Sequence, residues 1–217
     1  MIIGILGFAG SGKGTVGDIL VNDYDFMRLS FADAVKDAVS VIFGWPRHLL
    51  EGDTDFSRSF RECRDEWWSE RLGYEMTPRL AMQLMGTESG RAVFHKDIWI
   101  HTIEKRMEGL ERVVIPDVRF PNEVKFIRDQ GGFIIRVVRG NDPLWYSTAL
   151  KANKEGNTEL MSSYGVHYSE WAWIGEQADY LISNNGTIAM LEADVGHLLK
   201  VFTGPTNSDM IRNTAAQ

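Results

Sequence analysis

The residues best able to do chemistry lie at 7–15: Gly7-Phe8-Ala9-Gly10-Ser11-Gly12-Lys13-Gly14-Thr15. The run fits G-x-x-x-x-G-K, with Thr15 one place later than the commonest form. Glycines let successive backbone N–H groups turn inward as an anion nest, and the N-terminus of a following helix adds partial positive charge. Lys13 can then reach the β- and γ-phosphates of a nucleotide, while Thr15 helps hold Mg²⁺, directly or through water. Ala9 to Thr15 are therefore the expected ATP-phosphate contacts. A chance glycine-rich turn is the plain alternative. This run, however, follows an apolar strand and precedes a helix, as the chemistry requires.

In an open parallel sheet, ligands sit beyond the carboxyl ends of the strands. That rule picks out Ser30 and Asp33, Asp117 and Arg119, and Arg139. Asp117 can hold Mg²⁺ through water or orient an acceptor phosphate, its alternative being a cap for the helix opening at Pro121. Arg119 suits charge developing on a transferring phosphoryl group, its alternative being a surface ion pair. Arg79, Gln83, Gly86 and Thr87 fall on one helical face. A guanidinium and an amide one turn apart can serve a phosphate and a base edge, and a solvated polar face is the bland reading. Arg58, Arg61 and Arg64 could clamp a phosphate or pair with the interleaved Glu62, Asp65 and Glu66. His167, Ser169 and Glu170 resemble an acid–base group, but no oxyanion site accompanies them, so a capped helix start or lid contact is the expectation. The tryptophans at 67–68 and 171–173 read as core.

These side chains must be carried by alternating strands and amphipathic helices, which predicts an α/β fold with a parallel sheet covered on both faces. Strands are expected at about 2–6, 26–30, 112–116, 133–138 and 179–183. Helices are expected at about 13–22, 31–43, 78–90, 95–108, from 121 to the Gly131-Gly132 pair, and 188–202. Residues 44–76 read as charged, aromatic loop and helix, and residues 140–176 as polar chain without a clear strand. The tail from about 203 lacks periodicity and reads as frayed.

The chain has 217 residues, 44% hydrophobic and 24% charged, with a formal net charge of −7. These values suit one globular domain, with an inserted lid accommodated. The negative balance argues against a nucleic-acid polymer as partner, but a compact phosphate substrate needs only a few local cations. No run approaches the ~20 apolar residues of a membrane span, and no leader peptide is expected. The single Cys63 cannot form an internal disulfide and suits a reducing, cytoplasmic setting.

Taken together, these stretches resemble the deoxynucleoside monophosphate kinases of tailed bacteriophages, a branch of the P-loop nucleotide kinases. The resemblance rests on GFAGSGKGT at 7–15, LSFAD at 29–33, PRLAMQLMGT at 78–87, DIW at 97–99, DVRFPNE at 117–123, IIRVVR at 134–139 and HYSEW at 167–171. It implies a P-loop NTPase-type, three-layer fold with a five-stranded parallel sheet, a helical substrate-binding region at about 44–110 and a mobile lid at about 141–176. By that implication Ser30, Asp33, Arg79, Gln83, Thr87 and Trp99 line the acceptor site, and Asp117 and Arg119 flank the transfer point beside Lys13. Arg139 and the Asn185-Gly186 turn flank the adenine. ATP and Mg²⁺ are the implied cofactors and a small nucleotide the implied partner, with a homodimer compatible. Residues 141–170 depart from many nucleotide kinases in having no arginine, only Lys151 and Lys154. Either those lysines substitute, or Arg119, Arg128, Arg139 or the 58–64 series supplies the charge. A kinase of another small metabolite and a nucleotide-driven switch remain the alternatives, the latter without a guanine-reading N/T-K-x-D motif.

Overall fold

The computed structural model describes residues 1–204. In chain order it contains β1 (Ile2–Leu6), α1 (Lys13–Tyr24), β2 (Met27–Arg28), α2 (Asp33–Phe43), α3 (Asp55–Glu62), α4 (Glu66–Leu72), α5 (Pro78–Gln83), a π-helical segment (Leu84–Phe94), α6 (Ile98–Arg106), β3 (Val113–Ile115), α7 (Pro121–Asp129), β4 (Phe133–Val138), α8 (Tyr146–Glu155), β5 (Tyr180–Ser183) and α9 (Ile188–Thr203). Short 3₁₀ turns occupy Arg47–Leu50, Thr158–Tyr164 and Tyr168–Glu170. The expected frayed tail lies mostly outside the described residues, and Thr203 is the last residue of α9.

The chain divides into two compact units, one from Met1–Arg28 together with the chain from Glu111 onward, the other Leu29–Leu110. The second, helical unit contains the whole of the 44–110 stretch.

The first unit holds a five-stranded sheet in the order β2-β3-β1-β4-β5. Every pairing is parallel: Ile3 of β1 lies opposite Val114 on one side and Phe133 on the other. With parallel neighbours on both sides, β1 must be apolar throughout, and its last four residues are buried. One sheet face packs Ile3, Ile5, Val114, Ile135 and Ile182 against Val16 and Leu20 of α1 and Leu191, Val195 and Leu198 of α9. On the other face α7 sits so close that a Cβ at Gly4 would lie 2.5 Å from Cδ1 of Ile127. Helices therefore cover both faces, and the three-layer α/β fold is as the sequence predicts.

The 140–176 stretch contains no strand, as the sequence predicts, and is partly helical, with α8 running Tyr146–Glu155. Trp171 and Trp173 are buried core residues. The amide of Asn153 in α8 donates to the carbonyls of Trp171 and Ile174, fastening this segment to itself.

In the helical unit, Thr77 caps α5 and Pro78 occupies its first position, as the sequence predicts. The helix does not stop near Gly90 but widens at Leu84 into π geometry that runs to Phe94. Close packing accompanies the widening: a Cβ at Gly90 would stand 2.3 Å from Cζ2 of Trp99. Phe43 stacks on Trp45 at 4.5 Å, with Trp68 edge-on to Phe43, whereas Trp67 is 56% exposed and lies outside the core expected for it. No helix among the described residues is long and apolar enough to cross a membrane.

Candidate active site

The loop at 7–15 joins the buried strand β1 to α1, which starts at Lys13. Gly7, Gly10 and Gly12 have φ of 147°, 77° and 101°, a region that disfavours side chains, so the loop's shape requires glycine there. The first amides of α1 have no partner within the helix and belong to whatever occupies the loop. The hydroxyl of Ser11 is buried and has no hydrogen-bond partner among the described residues, a polar atom left over for a ligand.

The Lys13 ammonium donates to the carbonyls of Gly7 (2.8 Å) and Phe8 (2.9 Å), so it lies over the loop it belongs to. Burial lowers its pKa to about 8, Arg119 pushes the same way, and Glu170 and Asp117 oppose the shift. Arg119 follows β3. Burial disfavours its charge, but Glu170 first, then Asp117 and Glu123, more than offset that and hold the guanidinium above its usual range. Lys13, Arg119 and Asp117 are thus neighbours, two cations and a carboxylate at the carboxyl ends of β1 and β3.

Two carboxylates set this arrangement, and the sequence linked neither of them to Arg119. The buried Glu123 accepts from the backbone N–H of Arg119 (2.7 Å) and of Phe120 (3.1 Å), fixing the turn between β3 and α7. The start of α7 is therefore served by Glu123. A signal was present, since Pro121 followed by Glu123 is the spacing of a helix start with a back-reaching third residue. Glu170 pairs with Arg119. His167 accepts from the N–H of Ser169 at 3.2 Å and lies 2.8 Å from its hydroxyl, so the start of this turn is capped, by His167 rather than by the Ser169 expected to do so.

A groove of about 210 Å³ runs beside the loop, between Ala9, Gly10 and Ser11 on one side and Val138, Arg139 and Asn141 on the other. The Asn185 side chain accepts from the N–H of Gly140 (2.7 Å), tying the turn after β5 to the turn after β4, so Arg139, Asn185 and Gly186 lie around one edge of this site. Phe8 packs edge-on to Trp145 at 5.5 Å and against Trp173 at 5.0 Å, anchoring the loop to the segment that includes α8. Thr15 lies in the first turn of α1. Of the other cations considered, Arg128 is spent on Asp179 and the Gln177 carbonyl. A larger, more open depression of about 420 Å³ along α9, beside Tyr24, holds none of the candidate residues.

The acceptor candidates Ser30, Asp33, Arg79, Gln83, Thr87 and Trp99 all belong to the helical unit. The Ser30 hydroxyl accepts from the N–H of Ala32, shaping the entry to α2. Asp33 faces Arg47 at 3.3 Å, with Lys36 and Arg106 each at 3.9 Å. Arg79 is paired with Glu62. Arg79 and Gln83 share α5, but Gly86 and Thr87 lie in the π segment, where each turn takes about one more residue, so the spacing expected of a single α-helical face does not carry past Leu84. Gly86 turns toward Val35 of α2, 3.7 Å from where its Cβ would be. The Trp99 ring nitrogen donates to the Gly86 carbonyl (2.7 Å), so this buried indole brackets the π segment. Arg58, Arg61 and Arg64 are engaged locally, with Asp55, the Glu51 carbonyl and Glu66 respectively.

No protein-family model matches the chain. Over 152 residues it is 32% identical to a protein of Acanthamoeba polyphaga mimivirus provisionally described as a deoxynucleotide monophosphate kinase, the match covering 64% of this chain and 74% of that one. Over an alignment of 223 positions it is 27% identical to the deoxynucleoside-5′-monophosphate kinase of Escherichia phage T5, covering 77% and 88%. Among solved structures it matches TT1252 from Thermus thermophilus with a TM-score of 0.48 at 19% identity, covering 94% and 98%. Shikimate kinase from Aquifex aeolicus gives 0.45 at 16%, covering 92% and 96%.

Proposed function

Because this chain belongs to the deoxynucleoside monophosphate kinases, we propose that it transfers the γ-phosphoryl group of ATP, with Mg²⁺, to the 5′-phosphate of a deoxynucleoside monophosphate. The observation that carries this reading is the Lys13 ammonium held over the glycine loop by the Gly7 and Phe8 carbonyls, within electrostatic reach of Arg119. In-line phosphoryl transfer spreads charge over the equatorial oxygens, and catalysis consists of positioning plus cations that meet that charge. The acceptor phosphate oxygen is already anionic, so no general base is required of the chain.

Gly10 to Thr15 fit a triphosphate: the helix N-terminus, the unpartnered Ser11 hydroxyl and the Lys13 ammonium all suit anionic oxygen. Thr15 and Asp117 offer the hard oxygen donors that Mg²⁺ accepts beside phosphate and water. Bound there, the ion would neutralise charge on the β- and γ-phosphates. Arg139, Asn185 and Gly186 would flank the adenine.

On the acceptor side, Arg79 would exchange Glu62 for the substrate phosphate and Gln83 would meet a base edge, with Ser30, Asp33 and Thr87 completing the lining. Trp99 would contribute its ring alone, since its N–H is already committed to Gly86. Residues 141–176 would act as the lid, with Lys151 and Lys154 its cations, excluding water so that transfer outruns hydrolysis. The role is to supply DNA precursors in the cytoplasm of a host cell.

The test is a coupled assay of ADP release with ATP, Mg²⁺ and each of dAMP, dGMP, dCMP and dTMP, beside the ribonucleotides and a no-acceptor control. Turnover that depends on one or more deoxynucleotides is expected. ADP release at one slow rate regardless of acceptor would overturn the assignment.

A further inference from the structure

We infer that Asn184 aims the phosphate loop: by holding the Ser11 carbonyl it directs the Gly12 amide toward the triphosphate. The proposal rests on residues 7–15 being the triphosphate site, and it adds a positioning residue that touches no substrate.

Three observations carry it. The side-chain N–H of Asn184 donates to the carbonyl oxygen of Ser11 (2.9 Å), across 173 positions of sequence. Asn184 is itself well held, because its backbone N–H donates to the Val138 carbonyl (2.7 Å) and so continues the pairing of β5 with β4. Finally, a Cβ at Gly12 would lie only 2.2 Å from the Asn184 side-chain nitrogen. The space left by the missing side chain of Gly12 is therefore the space the Asn184 amide occupies, and the two residues are fitted to each other.

The rest follows from the geometry of one peptide unit. No cis peptide bond occurs among the described residues, so the carbonyl of Ser11 and the N–H of Gly12 point in opposite directions across a plane that resists twisting. A donor fixed on the carbonyl side therefore fixes the direction of the amide. Gly12 has φ 101° and is the cap residue of α1, where nothing in its own side chain could set the loop. Without Asn184 this glycine-flanked peptide is free to rotate, and its N–H is aimed only part of the time. A preset amide spares the ordering that binding would otherwise require.

The experiment is calorimetric titration of wild-type protein, Asn184→Leu and Asn184→Ala with inorganic triphosphate, with ATP, and with the deoxynucleotide the wild type takes best. Asn184→Leu is nearly isosteric and removes the donor without adding charge, so it decides the matter if Asn184→Ala does not fold. Both variants are expected to weaken triphosphate and ATP by the same factor, about tenfold, leaving deoxynucleotide affinity unchanged. Unchanged triphosphate affinity in folded Asn184→Leu would overturn the proposal. So would a loss confined to ATP, which would move the residue's effect to the base, or an equal loss for the deoxynucleotide, which would mark general disruption. Wild-type protein that binds neither triphosphate nor ATP would instead refute the phosphate-loop reading itself.

Discussion

The guanidinium of Arg119 is paired with the carboxylate of Glu170, 51 residues further along the chain. The pair brings a carboxylate of the Tyr168–Glu170 turn beside the cation proposed for the transfer point, and Lys13 senses both charges. Arg119→Ala is expected to lower kcat by about 10²–10³ while the protein stays folded. Arg119→Lys should recover little, because a point charge does not reproduce a fork of donors. Steady-state kinetics with melting curves checks this, and a loss below threefold in Arg119→Ala would remove Arg119 from the transfer step.

The lowered pKa of Lys13 makes nucleotide binding a proton-linked event. At pH 8 about half of the empty protein carries neutral Lys13, and a triphosphate would draw the proton back, so ATP binding should take up about half a proton there through this residue. For stability the sign is opposite to that of a salt-bridged lysine. The unfolded chain keeps the proton between about 8 and the ordinary 10.5, so the contribution of Lys13 to stability rises with pH through that window. Titrations at pH 8 in buffers of different ionisation enthalpy measure the uptake, which Lys13→Met should abolish. Equal binding heats in every buffer would contradict it.

Gly90 leaves no room for a side chain, with Trp99 at 2.3 Å and the Met85 carbonyl at 2.6 Å from a Cβ placed there. Gly90→Ala should therefore cost about 1–3 kcal/mol by overpacking. A thermal melt should show a fall of several degrees, and an unchanged midpoint would mean the π segment yields freely.

Glu123 is 1% exposed and accepts two backbone N–H bonds. Glu123→Ala takes the acceptor from one buried and one part-buried donor and should cost about 2–3 kcal/mol, a drop of roughly 5–10 °C. Turnover should fall as well, because the backbone of Arg119 loses its hold. Glu123→Gln keeps an acceptor and should lose less on both counts. If Glu123→Ala melts like wild type, the carboxylate does not set this turn.

Much of the fold could be read from local pattern. Buried parallel strands must be nearly continuous apolar runs, so β1, β3 and β4 were legible, and Gly7–Thr15 was legible because the nest is a matter of spacing alone. What stayed hidden was non-local. Nothing in the composition around Asn184 announces a bond to Ser11, and the partner of Glu170 lies on another segment. The π geometry at Leu84–Phe94 was illegible for a different reason. Period analysis assumes 3.6 residues per turn, and the widening is accompanied by close packing of Trp99 on Gly90, which no window across 78–90 contains. Glu123 was within reach of a capping rule but stood inside a motif read for its Asp and Arg.

The strand order has a consequence for the chain during its synthesis. β1 is made first, yet it lies in the middle of the sheet, between neighbours that begin at Val113 and Phe133. A nascent chain thus carries its phosphate loop early but on a strand with no partners, and the Asn184 tie to that loop arrives much later. Contacts of such long sequence separation form late and slowly. A ribosome-held fragment that stops short of Val113 would expose β1 as an apolar, unpaired template, and one that stops short of residue 184 would carry a paired β1 but a loop without that tie, so protection from aggregation comes to this chain before its loop is fully set.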